Sequence, residues 1–152
     1  MKMDSDIRVR IDKQYDQVYN TITKGLEIES HVLFFICFCI AVAKKISPIP
    51  IATRNDKFWS RTFSSQEWTS MYSVILEMNS INLKSIESDE KVIRQIESFA
   101  NAGMQELLSL LPEGCIRNNN NILSVAIDDK GEIIKTLLYT ILDIYISNKD
   151  TK

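Results

Sequence analysis

The feature that most constrains this chain is an uninterrupted apolar run, Val32 to Ala43, reading VLFFICFCIAVA. As a helix its twelve residues span ~18 Å at ~1.5 Å per residue, well short of the ~30 Å hydrocarbon core of a bilayer. It lies behind Asp4, Asp6, Asp12, Asp16, Glu27 and Glu29, which is unlike a signal peptide. The run therefore predicts a helix buried on most of its sides, around which the rest of the chain must fold, and a cytoplasmic protein with no membrane partner. Ser30 is the expected N-cap, Lys44 and Lys45 the last-turn cations, and Pro48 and Pro50 the stop.

Four Gly and three Pro among 152 residues leave little turn material, so the fold class expected is mainly α: a short N-terminal strand and about five helices in one domain. In Asp6 to Ile11, Ile7, Val9 and Ile11 alternate with Asp6, Arg8 and Arg10, the pattern of a half-buried strand. Asp12 can cap a helix carrying Tyr15, Val18, Tyr19 and Ile22, with Gly25 as its stop. Residues 47–63 are the least periodic. Ser64 and Glu67 form a capping box ahead of a helix expected to bury Met71, Tyr72, Ile75, Leu76 and Met78, broken at Asn79 and Ser80.

Ser88 is the N-cap of the longest apolar stripe, from Val92 through Phe99, Met104 and Leu107 to Leu111, ended by Pro112. Gly103 inside it costs ~1 kcal/mol relative to Ala, which points to close approach of another helix across Ala100, Asn101, Ala102 and Gly103. Residues 113–121 read as a polar loop, 122–127 as a short strand or helix turn, and 128–131 as a turn. A last helix is expected from Glu132 to about Ile146.

Chemistry is sparse. The lone His31 sits at a helix mouth, and no catalytic residue, metal site or cofactor is expected. Cys37 and Cys39 lie two apart, so on a helix they point ~200° from each other; they read as buried thiols. Cys115, in a loop, is the more reactive candidate. Asp89-Glu90 and Asp128-Asp129 fit a first helical turn and a turn loop.

Charge is uneven. Residues 1–61 hold ten Lys or Arg against seven Asp or Glu, net +3; residues 62–152 hold eight against thirteen, net −5. The N-terminal part thus suits a polyanion. A short strand followed by two helices is the layout of ribbon-helix-helix DNA readers, in which two chains pair their strands and outward side chains enter the major groove. On that reading Arg8 and Arg10 would reach bases, Ser30 would present helix N–H groups to a phosphate, and Lys44, Lys45, Arg54, Lys57 and Arg61 would add backbone contacts. A strand with no partner in its own chain also predicts a homodimer, or a heteromer that covers the edge.

Three segments resemble a known family. Ile7-Arg8-Val9-Arg10-Ile11 is similar to the opening of the DNA phosphorothioation-associated protein 4 family. Glu29 to Phe35, running on through Ala41 to Pro50, resembles its central apolar helix and the turn after it. Phe99-Ala100-Asn101-Ala102-Gly103-Met104 resembles its aromatic-Ala-Asn-Gly-Gly-like signature. The likeness covers residues 6–111 and leaves 112–152 as a C-terminal helical extension. Cys37 to Ala43 is bulkier than the family's small-residue run, and Ala102 replaces one Gly. The resemblance implies a non-catalytic accessory subunit of a bacterial anti-phage system that modifies or restricts DNA. It would act through other subunits of a defence complex, with DNA contact as a further expectation. The alternatives from other classes are a ribbon-helix-helix transcriptional regulator and a small helical enzyme.

Overall fold

The computed structural model describes residues 6–79, 88–112, 114–126 and 130–150. The fold is mainly α. Its strands are β1 (Arg8–Asp12), β2 (Arg54–Trp59), β3 (Ile116–Asn119) and β4 (Ile122–Val125); its helices are α1 (Asp16–Leu26), α2 (Ser30–Ala43), α3 (Ser65–Met78), α4 (Asp89–Ser109) and α5 (Lys130–Asp150).

The apolar run becomes α2, and the most extensive contact in the fold is α2 laid on α4. The contact is close because α4 offers small residues there. A Cβ added at Gly103 would fall 1.7 Å from the carbonyl oxygen of Cys37, so no side chain fits between the two backbones. Ala100, Asn101 and Ala102 are buried in the same chain, so the approaching helix is the chain's own α2. Phe38 meets Phe99 edge-on at 6.0 Å across this seam. Beside it, Phe34, Phe58 and Phe63 pack mutually, with centroids 5.3–5.8 Å apart.

The N-terminal strand alternates as expected: Val9 and Ile11 are buried, Arg8 is exposed and Arg10 half-buried. Its partner was not expected. β1 pairs antiparallel with β2 of the same chain, Arg8 opposite Trp59 and Asp12 opposite Arg54, with a register shift between Val9 and Arg10 that leaves Lys57 as the extra residue. The opposite edge is met by α4, where the Arg10 amide donates to Glu97 Oε1 at 2.8 Å and the Arg94 guanidinium reaches the Arg8 carbonyl at 3.3 Å. This corrects both the two-chain ribbon and the uncovered edge. The segment Arg-Asn-Asp-Lys-Phe-Trp carries no apolar alternation, so only the tertiary pairing makes it a strand.

Several ends also shift. α1 continues past Gly25 to Leu26, and Glu27 takes the left-handed position (φ 56°), its neighbour Ile28 donating to the Thr23 carbonyl. Glu29, not Ser30, is the N-cap of α2, and no side chain caps it. α2 ends at Ala43, leaving Lys44 as C-cap and Lys45 beyond it at φ 55°. The Ser64–Glu67 capping box and the Ser88 cap form as read. Of the residues expected to be buried by α3, Met78 is 49% exposed, while Trp68 is buried instead. Ser80 lies outside the described residues.

The polar loop 113–121 is in part β3, joined to β4 by Asn120-Asn121, both at positive φ (52° and 64°), as a tight hairpin turn requires. Val125 of β4 and Leu137 of α5 join the core formed by α1, α2 and α4. Helix α5 begins at Lys130, inside the expected turn; Asp128 and Asp129 lie outside the described residues.

Among the described residues no single helix is long and apolar enough to cross a membrane. The stretch Lys13–Leu26 with Ser30–Ala43 passes on length and composition only as a pair bent by 108°, and α1 and α2 turn Val18, Tyr19, Ile22, Leu33, Phe34 and Ile40 into the core.

Candidate functional site

The cations singled out in the N-terminal part meet carboxylates when the chain folds. Arg10 stands 3.8 Å from its cross-strand neighbour Asp56. Lys57, at the bulge, turns toward α1 and bonds Asp16 at 2.7 Å and Asn20 at 2.6 Å; its side chain is only 10% exposed. Lys44 pairs with Glu106 at 2.6 Å. Ser30 opens α2 beside His31, whose Nε2 is 2.8 Å from Glu29 and whose Nδ1 is 3.3 Å from Glu67 without bonding geometry. Two carboxylates at that helix start repel a phosphate rather than hold one.

Arg8 and Arg61 remain at the surface, and Trp59 joins them. The Arg8 guanidinium lies 4.0 Å from the Trp59 ring centre and that of Arg61 5.4 Å from it, while Arg61 also bonds Asp6 at 2.7 Å. The three come together because Arg8 and Trp59 are opposite each other in the β1–β2 register. Lys45 and Arg54 are exposed and make no ion pair among the described residues. The basic residues are thus dispersed and mostly neutralised, apart from one cation–aromatic cluster.

One perturbed carboxyl belongs to a residue the sequence did not single out. Glu97 is buried, accepts from the Arg10 amide and pairs with Arg94 on its own helix. Burial pushes its carboxyl above the ordinary range, against the bonds from Arg10 and Arg94 that favour the charged form. Its signal in sequence was an acid inside an apolar stripe, three residues after an Arg. Asn101, one turn on, donates to the carbonyl of Ile49 at 3.0 Å and so ties the Pro-containing segment to α4; its own amide oxygen is buried with no partner. The crevice that Glu97 and Asn101 share with Arg10, Tyr15 and Tyr19 has no room for a water molecule. These groups lock elements together.

Cys37 and Cys39 are held protonated. Cys37 is buried as expected, but Cys39 lies on the exposed side of α2, since residues two apart on a helix cannot both face the core. Burial raises Cys37 to about 12, with the Tyr19 hydrogen bond acting in the opposite direction; partial desolvation and then the Glu67 carboxylate raise Cys39 to about 11. Cys115, read as a loop thiol, is buried where its carbonyl accepts from Ala126. Among the described residues no three His, Cys, Asp or Glu converge on a point that could hold a metal.

The remaining surface feature is apolar. On α5, Leu137 and Thr140 face the core and Ile144 is half-buried, while Ile134, Leu138, Tyr139, Ile141, Leu142 and Ile146 are 39–62% exposed. A separate apolar concavity, of about 370 Å³, is lined by Pro48, Pro50, Met78 and Phe99 together with Arg94 and Gln95. The sequence predicts a helix here but does not say which of its apolar residues the fold covers, so the outer face was not singled out. No protein-family model, no curated protein and no solved structure matches this chain.

Proposed function

We propose that the chain is a non-catalytic accessory subunit of a bacterial DNA phosphorothioation-linked modification or restriction system, acting in the cytoplasm by protein–protein contact. The observation that carries the contact role is the outer face of α5, where six large apolar side chains stand in water. Patches of more than a few hundred Å² mark interaction surfaces in monomeric folds. The resemblance of residues 6–111 supplies the defence system. DNA contact takes second place, because ion pairs occupy Arg10, Lys44, Lys57 and Arg61, which leaves the Arg8–Trp59–Arg61 cluster to offer stacking and charge together.

The test is co-expression of the tagged chain with the modification and restriction subunits. The expected result is a defined heteromeric complex that survives a salt wash and is lost in Leu138→Glu. Recovery of the chain without any of those subunits overturns the reading. A mobility-shift titration at two salt concentrations covers the DNA question. Weak binding that is equal on matched and scrambled duplexes, and reduced on both by Arg8→Ala, fits the subunit. Tight binding to one duplex that Arg8→Ala abolishes makes the protein a regulator instead.

A further inference from the structure

The contact role just proposed leaves open what covers α5, and the placement of its exposed residues answers that. The six form three pairs about Thr140: Leu138 and Leu142 two residues to either side, Tyr139 and Ile141 one, Ile134 and Ile146 six. At ~100° per residue they fill a continuous arc of roughly 160°, centred on the side of the helix opposite Thr140. Thr140 is 5% exposed and Leu137 7%, so the centre of the apolar arc points directly away from the body of the fold.

A face arranged in this way is complementary to itself. When two such helices pack antiparallel about a two-fold axis level with residue 140, residue i comes level with residue 280 − i of the other copy, and each flank of the arc lies beside the same flank of the copy. Leu138 and Leu142, which straddle the centre of the arc, then face Leu142 and Leu138 of the second copy. Tyr139 on one flank and Ile141 on the other lie beside their own counterparts, and Ile134 and Ile146 continue the two flanks toward the ends, so the contact is apolar at its centre and on both sides. A heterologous partner would place no symmetry requirement on these positions, whereas an isologous contact does.

The area also fits. At roughly 150–200 Å² for a large side chain, the exposed halves of six supply roughly 500–600 Å². That is most of the ~800 Å² per partner in a standard interface. Lys135 lies within the arc but lays its ammonium over the Tyr139 ring, 5.8 Å from the centroid, a posture in which the stem covers apolar surface and the charge can reach the rim.

We infer that α5 is a homodimerisation helix and that a second copy of this chain, antiparallel about Thr140, occupies its outer face. The two-fold unit, rather than the single chain, then enters any larger assembly. This inference rests on the contact role of α5 but not on the defence system.

Light scattering and cysteine cross-linking of the full chain test it. The purified protein should be a dimer at micromolar concentration, and Leu138→Glu and Leu142→Glu should each raise the dissociation constant ~tenfold or more. Both sites are exposed, so helicity by circular dichroism should be unchanged and loss of the dimer will not reflect misfolding. In a Cys39→Ser background, which removes the exposed native thiol, Leu138→Cys and Leu142→Cys chains should cross-link to each other when mixed. Each alone should cross-link poorly, because the antiparallel register sets residue 138 of one copy ~6 Å along the axis from residue 138 of the other.

A strict monomer at high micromolar concentration overturns the inference, and so does preferential 138-to-138 linkage, which marks a parallel pair. Sedimentation of a monomeric chain with vesicles of neutral and anionic phospholipid, abolished by Leu138→Glu, assigns the face to a lipid surface and overturns it too. A monomer that still joins the defence subunits through α5 defeats this inference and leaves the proposed function standing. A dimer that joins none of them does the reverse.

Discussion

Helices α4 and α5 are both 21 residues long, and both carry apolar residues at helical spacing. They end in opposite situations. On α4, Val92, Ile93, Ile96, Phe99, Met104, Leu107 and Leu108 are buried, and Gly103 lets the α2 backbone come into contact. On α5 the apolar residues spread around the helix, and the half facing away from the body is left in water. Periodicity says that a helix has an apolar side. What covers that side depends on whether small residues permit a close seam and on how many neighbours the chain can supply. Ala100, Ala102 and Gly103 make the seam on α4, whereas the described outer face of α5 carries large side chains suited to meeting another surface.

The sharpest way to break this contrast is at the seam. Gly103→Leu should destabilise the fold by about 3 kcal/mol through overpacking, lowering the melting temperature by roughly 6–12 °C. Gly103→Ala is the finer probe. In an exposed helix it would add ~1 kcal/mol of stability, but here its Cβ would meet the Cys37 carbonyl, so the melting temperature should fall. A rise would show that the two backbones are not in contact.

Adjacent leucines on α5 give the next largest effect. Leu137→Ala opens a hole in the core and should cost ~2–3 kcal/mol. Leu138→Ala, measured by urea unfolding at nanomolar concentration where the chain is single, should stay within ~0.5 kcal/mol. Equal costs would mean that α5 is rotated from the orientation described.

Glu97 sharpens the comparison from the polar side of α4. Its folded-state pKa lies above that of the unfolded chain, so the native state binds the extra proton. The stability this carboxyl contributes is complete below the ordinary carboxylate range and falls as pH rises through its raised value. Glu97→Gln lacks that slope. In urea unfolding across mildly acidic to neutral pH, the stability of the wild type relative to the Gln variant should decline with rising pH. A relative stability that grows would mean that the bonds from Arg94 and Arg10 outweigh burial.

The smallest effect expected is at the thiols. With Cys37 near 12 and Cys39 near 11, neither carries much thiolate at neutral pH. Mass spectrometry after brief alkylation at pH 7 should find both largely unmodified in the native chain and fully modified in urea. Rapid native labelling of Cys39 would show a local cation that the fold does not supply.

Much of the fold was legible because it depends on local chemistry. Ser64 with Glu67, and Ser88 ahead of Asp89 and Glu90, mark helix starts through hydrogen bonds made within one turn. The alternation of Val9 and Ile11 marks a strand through the period of the backbone itself. The apolar run from Val32 to Ala43 had no polar face and so had to become the buried centre, and a glycine in the α4 stripe had to mark a close approach. What crosses the chain was not written locally. Nothing in Arg54 to Trp59 announces a strand until β1 lies beside it. Nothing in the spacing of Lys57, Arg10 and Lys44 reveals that Asp16, Asp56 and Glu106 will neutralise them.

The candidate site moved for the same reason. Charge counted along the sequence suggested a basic N-terminal surface, but charge in the folded protein is set by which carboxylates come within 4 Å. The sequence alone determined the helical class, the buried helix and the residues that could line a tight seam, since these follow from the periods and sterics of a single segment. The tertiary structure decided that β1 finds its partner within the chain, that Glu97 and Arg94 occupy its other edge, and that the apolar surplus falls on the far side of α5. Those outcomes depend on which segments meet, and burial is a property of the pair rather than of either one.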